Sequence, residues 1–229
     1  MSTMTEMPVS ERAEAWGEKY LTRLTEATRT RLDALAEDAE RVTAAGDGGR
    51  VARLGEPGGA YVAFDVAMTS PLQFFGDPPF APSKVIAAGE QAFIYAYIFV
   101  NPVVNVPLGW RIPPSTQLGG RTWRLTLDQV NLSDPTQLVP RQVKSLTFSA
   151  PPVPMLTYAR FALDTPDPGS DPALIEANVT LDILDAGQPF AAFATSFFDY
   201  DDDPGFLFVP PARAGWRNQI PNRYLVYRR

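Results

Sequence analysis

Two hydrophobic periods divide this chain. Between Ser10 and the run Gly46-Asp47-Gly48-Gly49, the residues Trp16, Tyr20, Leu21, Leu24, Leu32, Leu35, Ala39 and Val42 recur at helical spacing and form one apolar stripe. Ser10 is the expected N-cap, Glu11 and Glu14 suit the positive end of a helix, and the glycines stop it. Thr25 and Thr28 weaken the stripe, and Gly17 costs about 1 kcal/mol against Ala in a helix interior, so fraying near the start is expected. A helix from Glu11 to Ala45 would be roughly 52 Å long at about 1.5 Å per residue. A compact body of the remaining ~180 residues is roughly 40 Å across. The pattern therefore predicts either a broken helix or a stretch of stripe that packs on another chain.

After the glycines the period changes from 3.6 to 2. Tyr61–Thr69, Gln91–Val100, Arg121–Asn131, Val143–Ser149, Met155–Asp164, Ala173–Asp185, Pro189–Asp199 and Asn222–Arg228 read as strands. In Arg121–Asn131, Trp123, Leu125 and Leu127 point one way while Thr122, Arg124, Thr126 and Asp128 point the other. Gln91–Val100 differs, because Phe93, Tyr95, Tyr97 and Phe99 share one face and Ile94, Ala96, Ile98 and Val100 share the other. A strand apolar on both faces is central: one face meets the opposite sheet and the other needs a cover. The stripe carrying Trp16, Tyr20 and Leu24 is the natural cover. About eight strands separated by Pro, Gly and Asp turns predict a mainly β fold, an antiparallel β-sandwich or jelly roll, led by a long N-terminal α-helix. The expected organisation is a helix and Gly-rich linker over 1–49 and a β-sandwich domain over 50–229.

Composition narrows the chemistry. The 229 residues contain no Cys and no His, which excludes disulfides, thiolate nucleophiles, imidazole acid–base catalysis and Cys/His zinc sites. The most apolar run, Ala92 to Val100, is about half of a bilayer crossing, and Met1 to Ser10 has no apolar signal region. No transmembrane segment and a cytoplasmic location are expected. A net charge of −6 argues against nucleic acid as a partner. The charge is uneven: Phe161 to Ala212 holds ten acidic residues and no Lys or Arg, while Arg213 to Arg229 holds five Arg and no acid. The two stretches are suited either to pair with each other or to serve different partners.

One loop stands out. Asp199, Asp201 and Asp203 have the alternate spacing that lets carboxylates converge on Ca²⁺, and Asp167 in a second acidic loop is a candidate fourth ligand. The helix-loop-helix calcium pattern fails, because Pro204 stands where that loop needs Gly. Tyr200, Phe206, Phe208 and Trp216 crowd the same region and form either a platform for a sugar or apolar ligand or the closed end of a β core. No Gly-rich phosphate loop and no catalytic spacing of carboxylates is present, so no catalytic residue and no cofactor beyond Ca²⁺ is assigned.

The reading that follows is a non-enzymatic binding or assembly protein. It would self-associate or dock to a protein partner through the helix, with Trp16, Tyr20 and Leu24 among the contacts. A Ca²⁺-dependent carbohydrate- or lipid-binding module is the alternative. A lyase- or cyclase-like enzyme would need a deep cavity holding a buried, strongly perturbed carboxylate.

Overall fold

The computed structural model describes residues 8–44, 63–74, 84–103, 112–148, 150–184, 190–197 and 222–228. Helix α1 runs unbroken over Val9–Ala44, 36 residues or about 54 Å at ~1.5 Å per residue. Ser10 is not its cap. The helix begins at Val9, two residues before the expected Glu11, and the Pro8 carbonyl accepts the N–H groups of Glu11 and Arg12, both at 3.0 Å. Val9 packs against the sheet beneath, and that contact carries the first turn past the polar residue.

Eleven strands follow among the described residues. One sheet contains β1 (Phe64–Thr69), β2 (Leu72–Gln73), β4 (Ala92–Val100), β7 (Leu156–Ala162) and β10 (Thr195–Phe197). The other contains β3 (Val85–Ala87), β5 (Thr122–Asn131), β6 (Gln142–Thr147), β8 (Ala173–Ile183), β9 (Phe190–Phe193) and β11 (Asn222–Tyr227). Pairing is antiparallel except for β1 with β10 and β3 with β11. The expected strand Pro189–Asp199 is divided at Ala194, whose buried position and N–H bond to the Val179 carbonyl (2.8 Å) mark the crossing point. Upstream, β9 pairs with β8; downstream, β10 pairs with β1 in the opposite sheet. A strand that changes sheets at such a corner keeps its own direction, which leaves β10 parallel to its neighbour.

Strand β4 is central, as its two apolar faces demand. It pairs with β1 and β2 on one side and with β7 on the other, and all nine of its residues are buried. Ala92, Ile94, Ala96, Ile98 and Val100 face the second sheet, where they meet the core that includes Trp123, Leu125 and Leu127 of β5 and Ile175, Val179 and Leu181 of β8. Phe93, Tyr95, Tyr97 and Phe99 face α1. The break between β1 and β2 falls at Ser70-Pro71, and proline has no N–H for the ladder. Beside the break, Thr69 Oγ1 accepts the Tyr95 N–H at 3.1 Å. Two buried amides tie the sheets together: Gln73 exchanges two hydrogen bonds of 2.9 Å with the backbone of Ala87, and Asn222 donates to the Thr69 carbonyl at 3.0 Å.

The helix is a working part of this fold. Trp16 stacks on Tyr20 at 5.0 Å between centroids and leans on Tyr95 at 4.9 Å, and the Tyr95 hydroxyl donates to the Ala13 carbonyl at 2.5 Å. Trp16, Tyr20 and Leu24, expected at a partner interface, thus meet the chain's own sheet, because the outer face of β4 would otherwise be bare. Burying side chains such as Tyr20 and Leu24 contributes about 1.5–3 kcal/mol each, a large share of the ~5–15 kcal/mol that holds a domain folded. The threonines do not interrupt the stripe. Thr28 is fully buried within it, and the Thr25 hydroxyl donates to the Leu21 carbonyl at 2.7 Å. Gly17 marks a close approach of helix to sheet: a Cβ there would stand 2.8 Å from Tyr95 Cε1 and 3.0 Å from the Tyr158 ring. The helix start is therefore pinned where fraying was expected.

A polar groove beside the helix as the candidate functional site

Alternation along β7 sends Ala159 and Phe161 into the core between the sheets and Tyr158 and Arg160 toward α1. One turn apart on the helix, Glu14 and Glu18 overhang that edge. The Tyr158 hydroxyl lies 2.6 Å from Glu14 Oε1 and 3.2 Å from Glu18 Oε1, its proton shared between the two carboxylates. Burial first, and then the adjacent carboxylates, push this phenol's pKa upward, since a phenolate would face two negative charges.

Arg160 gathers the start of the helix. Its Nη2 is 3.3 Å from Glu14 Oε2, its Nη1 donates to the Ser10 carbonyl at 2.6 Å, and its guanidinium lies 5.0 Å from the centroid of Phe93. A partly exposed pair of this kind contributes up to about 1 kcal/mol, and the aromatic contact a similar amount. The facing wall comes from β6, where Lys144 Nζ stands 5.8 Å from the Phe161 ring centroid beside Ser145 and Leu146. Gln142 closes one end by donating to the Ala162 carbonyl at 2.5 Å, with Asp164 Oδ2 at 3.3 Å. The space enclosed is an open groove of about 570 Å³.

The groove offers carboxylates, a phenol, a guanidinium and an ammonium, most already hydrogen-bonded to one another. Four charged side chains and a phenol around an open groove suit the holding of a polar ligand. A second groove of about 320 Å³ lies on the outer face of the second sheet. Its charges are neutralised across strands, Arg124 with Asp182 at 2.9 Å and Arg141 with Asp128 at 2.6 Å.

The expected acidic and aromatic loop residues Asp199, Asp201, Asp203, Tyr200, Phe206, Phe208 and Trp216 lie outside the described residues. Asp167 is described. Arg228 donates to both its oxygens at 2.7 Å and the Gly169 N–H to Oδ1 at 3.0 Å, bonds that hold its carboxyl below the usual range. Among the described residues, no group of three or more Asp or Glu side chains is placed to hold a metal ion. The acidic and basic stretches do pair, through Arg228 with Asp167 and through Arg223 with Glu176 at 2.9 Å. Burial raises the pKa of Asp65, which lines neither groove.

No family model matches the chain, and no curated protein does. Solved structures give distant likenesses at 10% identity. The CARDB domain of a Pyrococcus furiosus protein, solved in complex with di-metal ions, covers 59% of this chain and 96% of its own at a TM-score of 0.25. The C-terminal domain of wzt covers 73% and 95% at 0.30, and a structural genomics target, SoR45, covers 69% and 94% at 0.24. Likenesses this distant carry no argument about function. Among the described residues, no helix is long and apolar enough to cross a membrane.

Glu14, Glu18, Tyr158, Arg160 and Lys144 were not legible as a site. Their only sequence signals are an i, i+4 carboxylate pair and a polar alternation within one strand, both common on ordinary surfaces.

Proposed function

We propose that this chain is a non-enzymatic binding or assembly module whose helix docks to a second copy of itself. One observation carries the reading: α1 continues without a break to Ala44, and among the described side chains the helix residues of the core shared with the sheet lie between Val9 and Leu32. Twelve further residues extend the rod by about 18 Å at ~1.5 Å per residue. In sequence they continue the stripe beyond Leu32 as Leu35, Ala39 and Val42, the three- and four-residue spacing that lets two helices mesh. The sandwich then serves as a rigid body and the helix as its connector.

Light scattering on the intact chain tests this, beside a variant carrying Leu35→Glu and Val42→Glu. The intact chain is expected to show twice the monomer mass or more, and the variant to return to the monomer with an unchanged circular dichroism spectrum. An intact chain that stays monomeric up to about 100 µM removes the reading; at that concentration even a Kd of 10 µM leaves most of the chain associated.

A further inference from the structure

The proposed self-association uses the end of the helix; β7 presents a different surface. We propose that β7 is a strand-addition site, at which an extended, basic segment of a partner protein docks along its free edge beneath Glu14 and Glu18.

The hydrogen-bond parity of the sheet defines that edge. The Leu163 N–H bonds to the Ala92 carbonyl and the Val100 N–H to the Met155 carbonyl, both at 2.9 Å. In an antiparallel ladder, alternate residues of a strand turn their backbone groups toward the same neighbour. Met155, Thr157, Ala159, Phe161 and Leu163 therefore face β4, and Leu156, Tyr158, Arg160 and Ala162 turn their N–H and C=O groups away from it. Gln142 already occupies the Ala162 carbonyl. Three residues remain, Leu156, Tyr158 and Arg160, offering six backbone groups to a strand of about five residues, or ~17 Å. Among the described residues, β7 pairs with β4 alone.

The other margins are poorer templates. Strands β3 and β10 are three residues long and β9 is four. The parity of the second sheet, fixed by the Leu184 N–H bond to Thr122 and the Leu132 N–H bond to Leu174, leaves β6 open at Val143 and Ser145. That strand, however, directs Lys144 inward across the sandwich mouth, and an inward charge is a standard guard against edge pairing. The inward residues of β7 are Thr157, Ala159 and Phe161, with no charge among them.

Charge selects the occupant. An added strand would set alternate side chains against α1, where Glu14 is shared with Arg160 and Glu18 has the Tyr158 hydroxyl as its neighbour. Basic residues suit those positions in a chain of net charge −6. Intervening residues would meet Leu146 and Phe161 beside Lys144, which favours apolar side chains there.

Fluorescence anisotropy with the intact protein tests this, using a labelled, capped peptide of alternating Val and Arg, seven residues long. Saturable micromolar binding is expected, weakened at least tenfold when Glu replaces Arg, when the bond-forming peptide nitrogens are methylated, or when the protein carries Glu18→Lys. The peptide should also slow exchange of the Tyr158 and Arg160 amides. Absence of saturable binding, or equal binding of the methylated peptide, overturns the proposal. Protection of those two amides in the protein alone overturns it too: a second copy holds the edge if protection grows with concentration, and the chain itself if it does not.

Discussion

Replacing Gly17 with Ala sets two known effects against each other. In an isolated helix the change is favourable by about 1 kcal/mol, because Gly pays more backbone entropy on ordering. In the folded chain the new methyl would stand 2.8 Å from Tyr95 Cε1 and 3.0 Å from two atoms of the Tyr158 ring. Tyr95 has little room to retreat. It is fully buried, its hydroxyl is bound to Ala13, and its ring is hemmed in by Trp16, Tyr97 and Tyr158 at centroid distances of 4.9, 6.3 and 5.9 Å. Overpacking a core in this way costs about 1–3 kcal/mol. The clash therefore wins, and Gly17→Ala is expected to destabilise the protein by roughly 0–2 kcal/mol net. Gly17→Val adds bulk and a poorer helix former, so it should cost more. Urea unfolding followed by tryptophan fluorescence measures the protein, and circular dichroism of a peptide spanning residues 8–44 measures the helix alone. The signature is opposite signs: the peptide gains helicity while the protein loses stability. A Gly17→Ala protein more stable by about 1 kcal/mol would refute the close approach of helix to sheet.

Three further outcomes follow from single contacts. Leu24→Ala, at a fully buried position against the outer face of β4, should lower unfolding stability by about 2–5 kcal/mol in urea titration; a loss under 0.5 kcal/mol would mean the helix is peripheral. Tyr224→Phe removes the hydroxyl that accepts from Gln129 Nε2 at 2.6 Å in the core, where Gln129 Oε1 has no partner among the described residues, and should cost about 1–3 kcal/mol; adding Gln129→Leu should recover much of it. Asp65 has its pKa raised by burial, so the folded state binds that proton more tightly than the unfolded chain and loses stability as pH rises from below the ordinary carboxylate value through the raised one. Asp65→Asn, which keeps an oxygen for the Val66 N–H, should therefore raise Tm at pH 7, with the gap closing toward pH 3; a gap that widens on acidification would contradict the sign.

Features that rest on sequence-local pattern were legible, and features that rest on distant meetings were not. Nine consecutive apolar residues with aromatic and aliphatic side chains on alternate faces made β4 central, and the same alternation called for a cover that α1 supplies. Charge alone left the acidic and basic stretches two choices, each other or separate partners, and the pairs Arg228–Asp167 and Arg223–Glu176 take the first. Gly17 was misjudged because helix propensity is a property of the helix by itself, while its value here depends on Tyr95 and Tyr158. The division at Ala194 left no trace, since period-two alternation persists when a strand moves to another sheet. Strands β2 and β3, two and three residues long, are too short for any period to declare itself. The groove was hidden by separation: Tyr158 and Glu14 stand 144 positions apart.

The same separation sets a schedule for synthesis. The helix leaves the ribosome before the sheet it covers, for the hydroxyl that anchors it at Ala13 belongs to a tyrosine made 82 residues later. At ~5–20 residues per second, the nascent helix waits about 4–16 s with its greasy side uncovered. Tyr158 then completes the seat after a further 63 residues, a delay of about 3–13 s at that pace. A chaperone that shields amphipathic helices would find its opportunity on this protein while that seat is incomplete.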